Sequence, residues 1–514
     1  MATIENIQGR WFAAFLLLGV FAVLFTFPIG DGDFFWHVKT GQWIWENKAL
    51  PSADPFSYTV KDVNPFRPDS NRIPFLLKQY WLGQLALAGI WNMGGEAGMV
   101  AFRAAIYTGI LAFLFWWGCR LKRGIWPLII LFLAGNVLRN YPNERPQIFA
   151  FVFMPLMLWL LERLRTGTEH RLKVAILLPA VMLLWSNCHG SFILGQVVLV
   201  LYAAGMLGDT ALGKASSFEK FPLVPLLAAL IAPLLNPNGL RAFTEFFNLS
   251  TAYKSQVTEY VSPLALAWRS HLFDYWFWAL LLLALGTVIL NVRRMALPHL
   301  LVIIALLGIS MSGVRYIPFF VLAAPLLIPY LPDWQPQRRL ALIPLAVAAI
   351  WAATADYRNV FKFRAERSFP AQAVKFLEEA KPAGRIFNYI AWGGYLMCHS
   401  GYPVFVDGRA LAEEFVTLHD RVLFGVGWQK VLDDYNINLM LLPGTQPIDG
   451  SAYPLLLQLL DAPEWALIHA DDTALAFARQ VPENKAIIDR YAVSKGRISQ
   501  HIKDRWGWQF TYDL

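Results

Sequence analysis

An apolar run from Phe12 to Pro28 carries no charge and leads straight into Gly30-Asp31-Gly32-Asp33-Phe34-Phe35-Trp36-His37. The run is long enough to cross a bilayer as a helix. It reads as a retained first span, since no small-x-small cleavage pattern follows it. Two carboxylates, an aromatic cluster and a histidine thus stand where the chain leaves the apolar phase. Ionisable groups at such a boundary are costly unless they have a task, so Asp31 and Asp33 are candidate functional residues. The plainer alternative is that they mark the solvated end of a helix.

The rest of the 514-residue chain agrees with a membrane setting. It is 56% hydrophobic and only 16% charged, against about 25% charged in soluble domains. The further apolar runs are 100–118, 125–138, 147–162, 172–186, 190–208, 221–235, 273–290, 296–311, 315–331 and 338–355. With the first, they predict about eleven spanning helices. The net charge of +8 is dispersed over short loops such as Arg120-Leu121-Lys122-Arg123 and Asn291-Val292-Arg293-Arg294. Dispersed basic loops set membrane orientation, and they speak against a nucleic-acid face. Cys119, Cys188 and Cys398 have neither metal-ligand nor disulfide-framework spacing.

With the basic loops inside, the longer loops fall outside, and these hold the acids, histidines and amides. Residues 29–98 form the first outer loop. Its Gln42-Trp43-Ile44-Trp45 and Gln79 to Leu87 stretches suit helices lying in the interface. On the same side fall Asp54, Arg145 with Glu144, Asn187-Cys188-His189-Gly190, Asn236-Pro237-Asn238-Gly239 and Arg315-Tyr316. Residues 1–355 therefore read as a transmembrane domain. From 356 to 514 the composition changes to short helices alternating with strand-like runs. Those runs are Arg385 to Ile390, Val404 to Asp407, Ile437 to Leu442 and Trp465 to Phe477. They predict a small α/β domain on the outer side. The fold class expected is mainly α and polytopic, with this α/β domain appended.

These residue types suit a reaction on a lipid-borne phosphate. A carboxylate can act as general base, arginines match phosphate oxygens, and apolar helices admit a lipid chain. The layout resembles the GT-C superfamily of integral membrane glycosyltransferases. The resemblance rests on three features: the acidic pair after the first helix, the join from Leu82 through Gly94-Gly95 to Arg103, and Arg315-Tyr316-Ile317-Pro318 at the start of a late helix, with the proline one residue early. Further strings are similar to a group of bacterial GT-C-like membrane proteins. They are Asp33-Phe34-Phe35-Trp36-His37, Asp54-Pro55-Phe56-Ser57-Tyr58, Arg145-Pro146-Gln147, His189-Gly190, Trp392-Gly393-Gly394-Tyr395 and Val406-Asp407-Gly408-Arg409.

The resemblance implies a GT-C-like domain over 1–355 in a bacterial inner membrane, with the 356–514 domain periplasmic. It implies inverting transfer of a sugar from a polyprenyl-phosphate donor to an envelope glycan, lipid or protein, and no nucleic-acid partner. The base would be Asp33 or Asp31, with Asp33 favoured because the matching string begins there. Arg315, Tyr316 and Arg145 would serve the donor phosphate. Glu144 stands where such enzymes place a second acid, sometimes with a divalent cation (Mg or Mn), but it reads equally as an ion-pair partner. His37 could orient Asp33 or pack in the interface. His189 reads as a substrate contact or a helix-end residue, and Asp54 as a substrate contact or a turn initiator. Asp407 and Arg409 are expected to shape the outer domain or its docking surface.

The competing reading is an envelope transporter or scaffold. A transporter would show inverted repeats with broken midplane helices, and the sequence has neither. No Gly-x-Ser-x-Gly or His-Glu-x-x-His string supports a soluble-substrate hydrolase.

Overall fold

The computed structural model describes residues 2–60, 69–141, 144–167, 171–214, 222–244, 258–270, 274–335, 369–446 and 451–493. Two compact units divide the chain. The first comprises Met1–Phe27, Gln79–Ala86 and Ile90–Tyr357; the second comprises Pro28–Lys78, Leu87–Gly89 and Arg358–Leu514.

The first unit is helical. Three of its described helices, Trp81–Arg120, Gln147–Thr166 and Phe192–Ala211, are long and apolar enough to cross a membrane. Shorter apolar helices include Trp126–Leu138, Tyr275–Asn291 and Leu297–Ser312. The count of about eleven spans is therefore not reproduced among the described residues, and the expected span 338–355 lies outside them. The helices share one apolar core running from Ala13 and Phe21 through Tyr107, Phe151, Trp185 and Tyr202 to Ile328. Large apolar side chains also point outward: Phe15 is 73% exposed and Leu290 83%. A helix surface that is apolar on both sides suits lipid as its solvent.

Two sequence expectations meet local chemistry here. The break at Gly94-Gly95 is real: Gly95 takes φ +55° inside Trp81–Arg120 and kinks it, a conformation open to glycine. The expected span 315–331 is not one helix. It is a 3-10 turn at Val314–Tyr316, a short helix Ile317–Leu322 and a 3-10 stretch Ala324–Tyr330. Pro318, Pro325 and Pro329 each lack a backbone donor, so a regular ladder cannot run through. Irregular backbone is tolerated at that depth because Ile317 to Ile328 is buried in protein.

A buried ion pair ties the first helix to the bundle. The Arg103 guanidinium, fully enclosed, donates to the carbonyl of Phe25 at 3.1 Å, to that of Phe27, and to Glu144. Elsewhere in the unit, Glu162 gathers His299 Nε2 at 2.6 Å and Arg165 Nε at 2.9 Å.

The second unit is α/β. Strands β1 (Arg385–Asn388), β2 (Ile437–Pro443), β3 (Trp465–Ala470) and β4 (Ala474–Arg479) form a sheet in the order β1-β2-β4-β3. β1 and β2 are parallel, and the other pairs antiparallel. The strand-like run at 465–477 is thus a hairpin. Its turn is closed by Asp471 Oδ1, which accepts from Thr473 N at 2.7 Å and Ala474 N at 2.8 Å. The run Val404 to Asp407 makes a single parallel bridge, Val404 with Ser57.

That bridge falls within the second unit, where residues 28–78 group with the C-terminal segment. Tyr58 N donates to Val404 O at 3.2 Å, Val404 N to Phe56 O at 3.1 Å, and Thr59 Oγ1 to Phe405 O at 2.6 Å. The strand-like run at Val404 is legible in sequence, but its partner some 350 residues earlier is not, since pairing between distant segments leaves no local signal of which segment is met.

Candidate functional site

The acidic stretch opens the helix Asp33–Asn47 of the second unit. Asp31 Oδ1 accepts from Asp33 N at 3.0 Å, so Asp31 closes the turn that starts the helix. Asp33 lies in the first helical turn, where the helix field favours a carboxylate. His37 follows one turn later, buried, its ring centroid 3.4 Å from that of Trp36.

Close backbone approach holds this stretch to the C-terminal glycines. A Cβ on Gly32 would run into the carbonyl of Ala391, and one on Gly394 would lie 2.5 Å from the carbonyl of Gly32 and 3.1 Å from Trp36 N. Phe35 then packs edge-on against Phe369 and Tyr395, at 5.0 Å each. The Trp392-Gly393-Gly394-Tyr395 string is therefore the seat of the acidic helix.

Beside it, Val406-Asp407-Gly408-Arg409 reaches the same place. Arg409 is buried and bidentate to Asp54, with Nη1 to Oδ1 at 2.6 Å and Nη2 to Oδ2 at 3.0 Å. It also donates to Asp407, Nε to Oδ1 at 2.7 Å and Nη2 to Oδ2 at 2.7 Å, and to Ser57 Oγ at 3.1 Å. Burial works against the guanidinium charge, yet the Asp407 and Asp54 carboxylates hold its pKa above the ordinary value. Asp54 does initiate a turn, accepting from Ser57 N at 2.9 Å, and in addition it holds Arg409. In sequence the two strings lie about 350 residues apart, and the local signal linking them is an arginine and two acids set in strongly apolar surroundings, where each charge needs a partner.

The cationic residues belong to the first unit. Arg145 Nη1 lies 3.4 Å from Glu259 Oε1, and Arg315 Nη1 lies 3.8 Å from Glu259 Oε2. The Arg315 guanidinium also sits over the ring of Tyr260 at 4.6 Å and near that of Tyr316 at 6.0 Å. His189 joins them: it is half-buried, accepts from Ser191 N at Nδ1 (3.1 Å), and faces the Tyr80 ring at 5.4 Å. Burial, with the charges of Arg315 and Arg145, lowers its pKa to about 3, so it stays neutral at physiological pH.

Amide contacts bind the surrounding loops together. Trp81 Nε1 donates to Asn187 Oδ1 at 2.7 Å, Asn236 Nδ2 to Ser186 O at 2.7 Å, and Asn238 Nδ2 to Gln79 Oε1 at 3.3 Å. Arg145 and Arg315 thus meet at Glu259, with His189 close enough to feel both charges. Glu259 was not singled out from sequence, because nothing local marks a lone glutamate as the shared partner of two distant arginines.

Glu144, the acid offered to a cation, is engaged by Arg103 instead. Among the described residues no three His, Cys, Asp or Glu side chains group so as to hold a metal ion. The donor set therefore does not fit a cation site built on Glu144.

No protein-family model matches the chain, and no curated protein matches it. Among solved structures it is similar to the oligosaccharyltransferase AglB of Archaeoglobus fulgidus in complex with an inhibitory peptide and a dolichol-phosphate. The TM-score is 0.54 at 11% identity, covering 93% of this chain and 75% of that one. The Archaeoglobus fulgidus oligosaccharyltransferase tethered to an acceptor peptide with the NVT sequon gives a TM-score of 0.53 at 11% identity, covering 93% and 74%. The chain therefore shares the fold of that archaeal oligosaccharyltransferase.

Proposed function

We propose that this chain is a membrane glycosyltransferase. It transfers a sugar from a polyprenyl-phosphate-linked donor to an acceptor hydroxyl of an envelope glycan, lipid or protein, on the outer face of a bacterial inner membrane. The observation that carries the reading is the arginine pair: in a chain that shares the oligosaccharyltransferase fold, Arg145 and Arg315 share one carboxylate, an arrangement suited to a multiply charged anion. The dolichol-phosphate in the AglB complex supports a lipid phosphate as the donor's leaving group.

In the reaction, the acceptor oxygen attacks the anomeric carbon from the face opposite the phosphate and forms the new glycosidic bond. The bond from that carbon to the phosphate oxygen breaks, and its electron pair leaves with the phosphate. Asp33 takes the acceptor proton, and Asp31 holds the turn that presents Asp33. Arg145 and Arg315 neutralise the departing polyprenyl phosphate, with Tyr316 beside Arg315. Neutral His189 leaves that charge uncompromised and offers a hydrogen-bonding ring edge to the substrate. His37 lies one turn further along the same helix, against Trp36.

The test compares envelope glycans by mass spectrometry in a deletion strain, with and without the gene restored. The wild type is expected to return a sugar that the deletion lacks. A chain with Arg145→Ala and Arg315→Ala is expected to return less than about one hundredth of it, each charge-assisted contact being worth roughly tenfold. An unchanged glycan profile in the deletion, or full restoration by the double variant at equal membrane level, would sink the reading.

Glu259 sharpens this expectation. It already pairs with both arginines and offsets one of their two charges, so the donor phosphate competes with it. Glu259→Gln is expected to tighten binding of a polyprenyl monophosphate to the purified protein by roughly 3- to 10-fold, as for the release of two exposed ion pairs. Weaker binding would mean that Glu259 organises the arginines for the ligand.

A further inference from the structure

Resting on the reading of Asp33 as the base, we infer that the Asp407–Ala410 turn is a clamp for the Asp33 carboxylate, and that Gly408 and Arg409 are positioning residues for the transfer. Three independent observations fall on this one turn. First, Gly408 has no side chain where Asp33 needs room: a Cβ there would overlap Oδ1 of Asp33. Second, the residue after Gly408 is locked by charge. Arg409 is held from both sides by Asp54 and Asp407, and its own N–H donates to Asp407 Oδ1 at 2.9 Å. Third, the turn closes through Ala410, whose N–H donates to Asp407 O at 3.1 Å while its φ is +44°.

Alanine adopts that left-handed conformation only when its surroundings impose it, and such outliers gather at functional sites. The imposing element is the arginine lock. Asp54 lies just beyond the helix that begins at Asp33, and Asp407 lies in the C-terminal segment. Arg409 therefore fixes the distance between the backbone that carries the base and the backbone that abuts it. A carboxylate resting against bare backbone keeps one orientation, and orientation is what a general base needs. The C-terminal segment thus takes part in the chemistry by holding the base. A role limited to recognising the acceptor would not call for buried charge, strain and a missing Cβ at one turn.

The test uses the full-length chain in the deletion strain, with sugar accumulation measured per unit of membrane protein. Thermal midpoints are read on the same variants purified in detergent. Gly408→Ala is expected to lower accumulation by roughly 10- to 100-fold, as an ångström-scale displacement does, with its midpoint within about 2 °C of wild type, a shift expected of a change that leaves packing intact. Arg409→Lys keeps the charge but loses the bidentate fork, and is expected to cost roughly tenfold. It carries the test if Gly408→Ala fails to reach the membrane.

Accumulation within about threefold of wild type for the variant tested overturns the clamp, a loss that small being far short of misplacement. A loss of accumulation matched by a large fall in midpoint also overturns it, since that marks a structural brace only. Asp33→Asn runs beside them. If it keeps wild-type accumulation, the assignment of the base falls and the clamp with it; if it alone is inactive, only the clamp falls.

Discussion

Asp33→Asn is expected to lower the rate of sugar transfer by about 10² to 10⁴, the range that a positioned general base contributes. The substitution is nearly isosteric, so the close approach of Gly408 and the seat on Gly394 remain available to it. What it removes is the carboxylate's basicity, since an amide oxygen still accepts a hydrogen bond but is far too weak a base to take the proton. Asp31→Asn is the informative contrast. Asp31 serves through Oδ1, which accepts from Asp33 N at 3.0 Å, and an asparagine can make that same bond in the same turn. Its loss is expected to stay within about tenfold. Both variants are compared by initial accumulation of the sugar in the deletion strain, at matched membrane levels. Wild-type rates from both would remove the acids from the chemistry and return the transporter or scaffold reading.

Arg409→Met is expected to destabilise the second unit by about 3–5 kcal/mol, because Asp54 and Asp407 stay behind as uncompensated buried charges. For a unit of this size that corresponds to a fall in midpoint on the order of 10 °C. The arginine's value is relative to its partners, so the effect should be reversible by design. Replacing all three, with Arg409→Met, Asp54→Asn and Asp407→Asn together, removes the charges along with the lock, and is expected to recover most of the lost midpoint. Transfer should not recover with it, because the clamp on Asp33 is gone. Scanning fluorimetry on the purified variants reads the first outcome, and glycan accumulation the second. A triple variant as unstable as Arg409→Met alone would show that the network's hydrogen bonds matter more than its charge balance.

Much of this protein was legible in short stretches of sequence. Charge-poor runs identify the membrane class, because transfer of apolar surface depends on composition and length alone. The kink at Gly95 and the strands at Arg385–Asn388 and Ile437–Pro443 follow from signals within a few residues of each feature.

Other features were decided only in three dimensions. The run 315–331 looked like a span because its hydropathy is continuous, but three prolines and a fully buried setting made it a series of short turns. Glu144 sits in sequence between Arg139 and Arg145, and its partner is Arg103 on another helix. Asp54 and Arg409 are 355 positions apart and share two hydrogen bonds. Periodicity and propensity report on neighbours along the chain. A buried charge is satisfied by whatever the folded chain brings within about 3 Å of it, and that depends on tertiary packing.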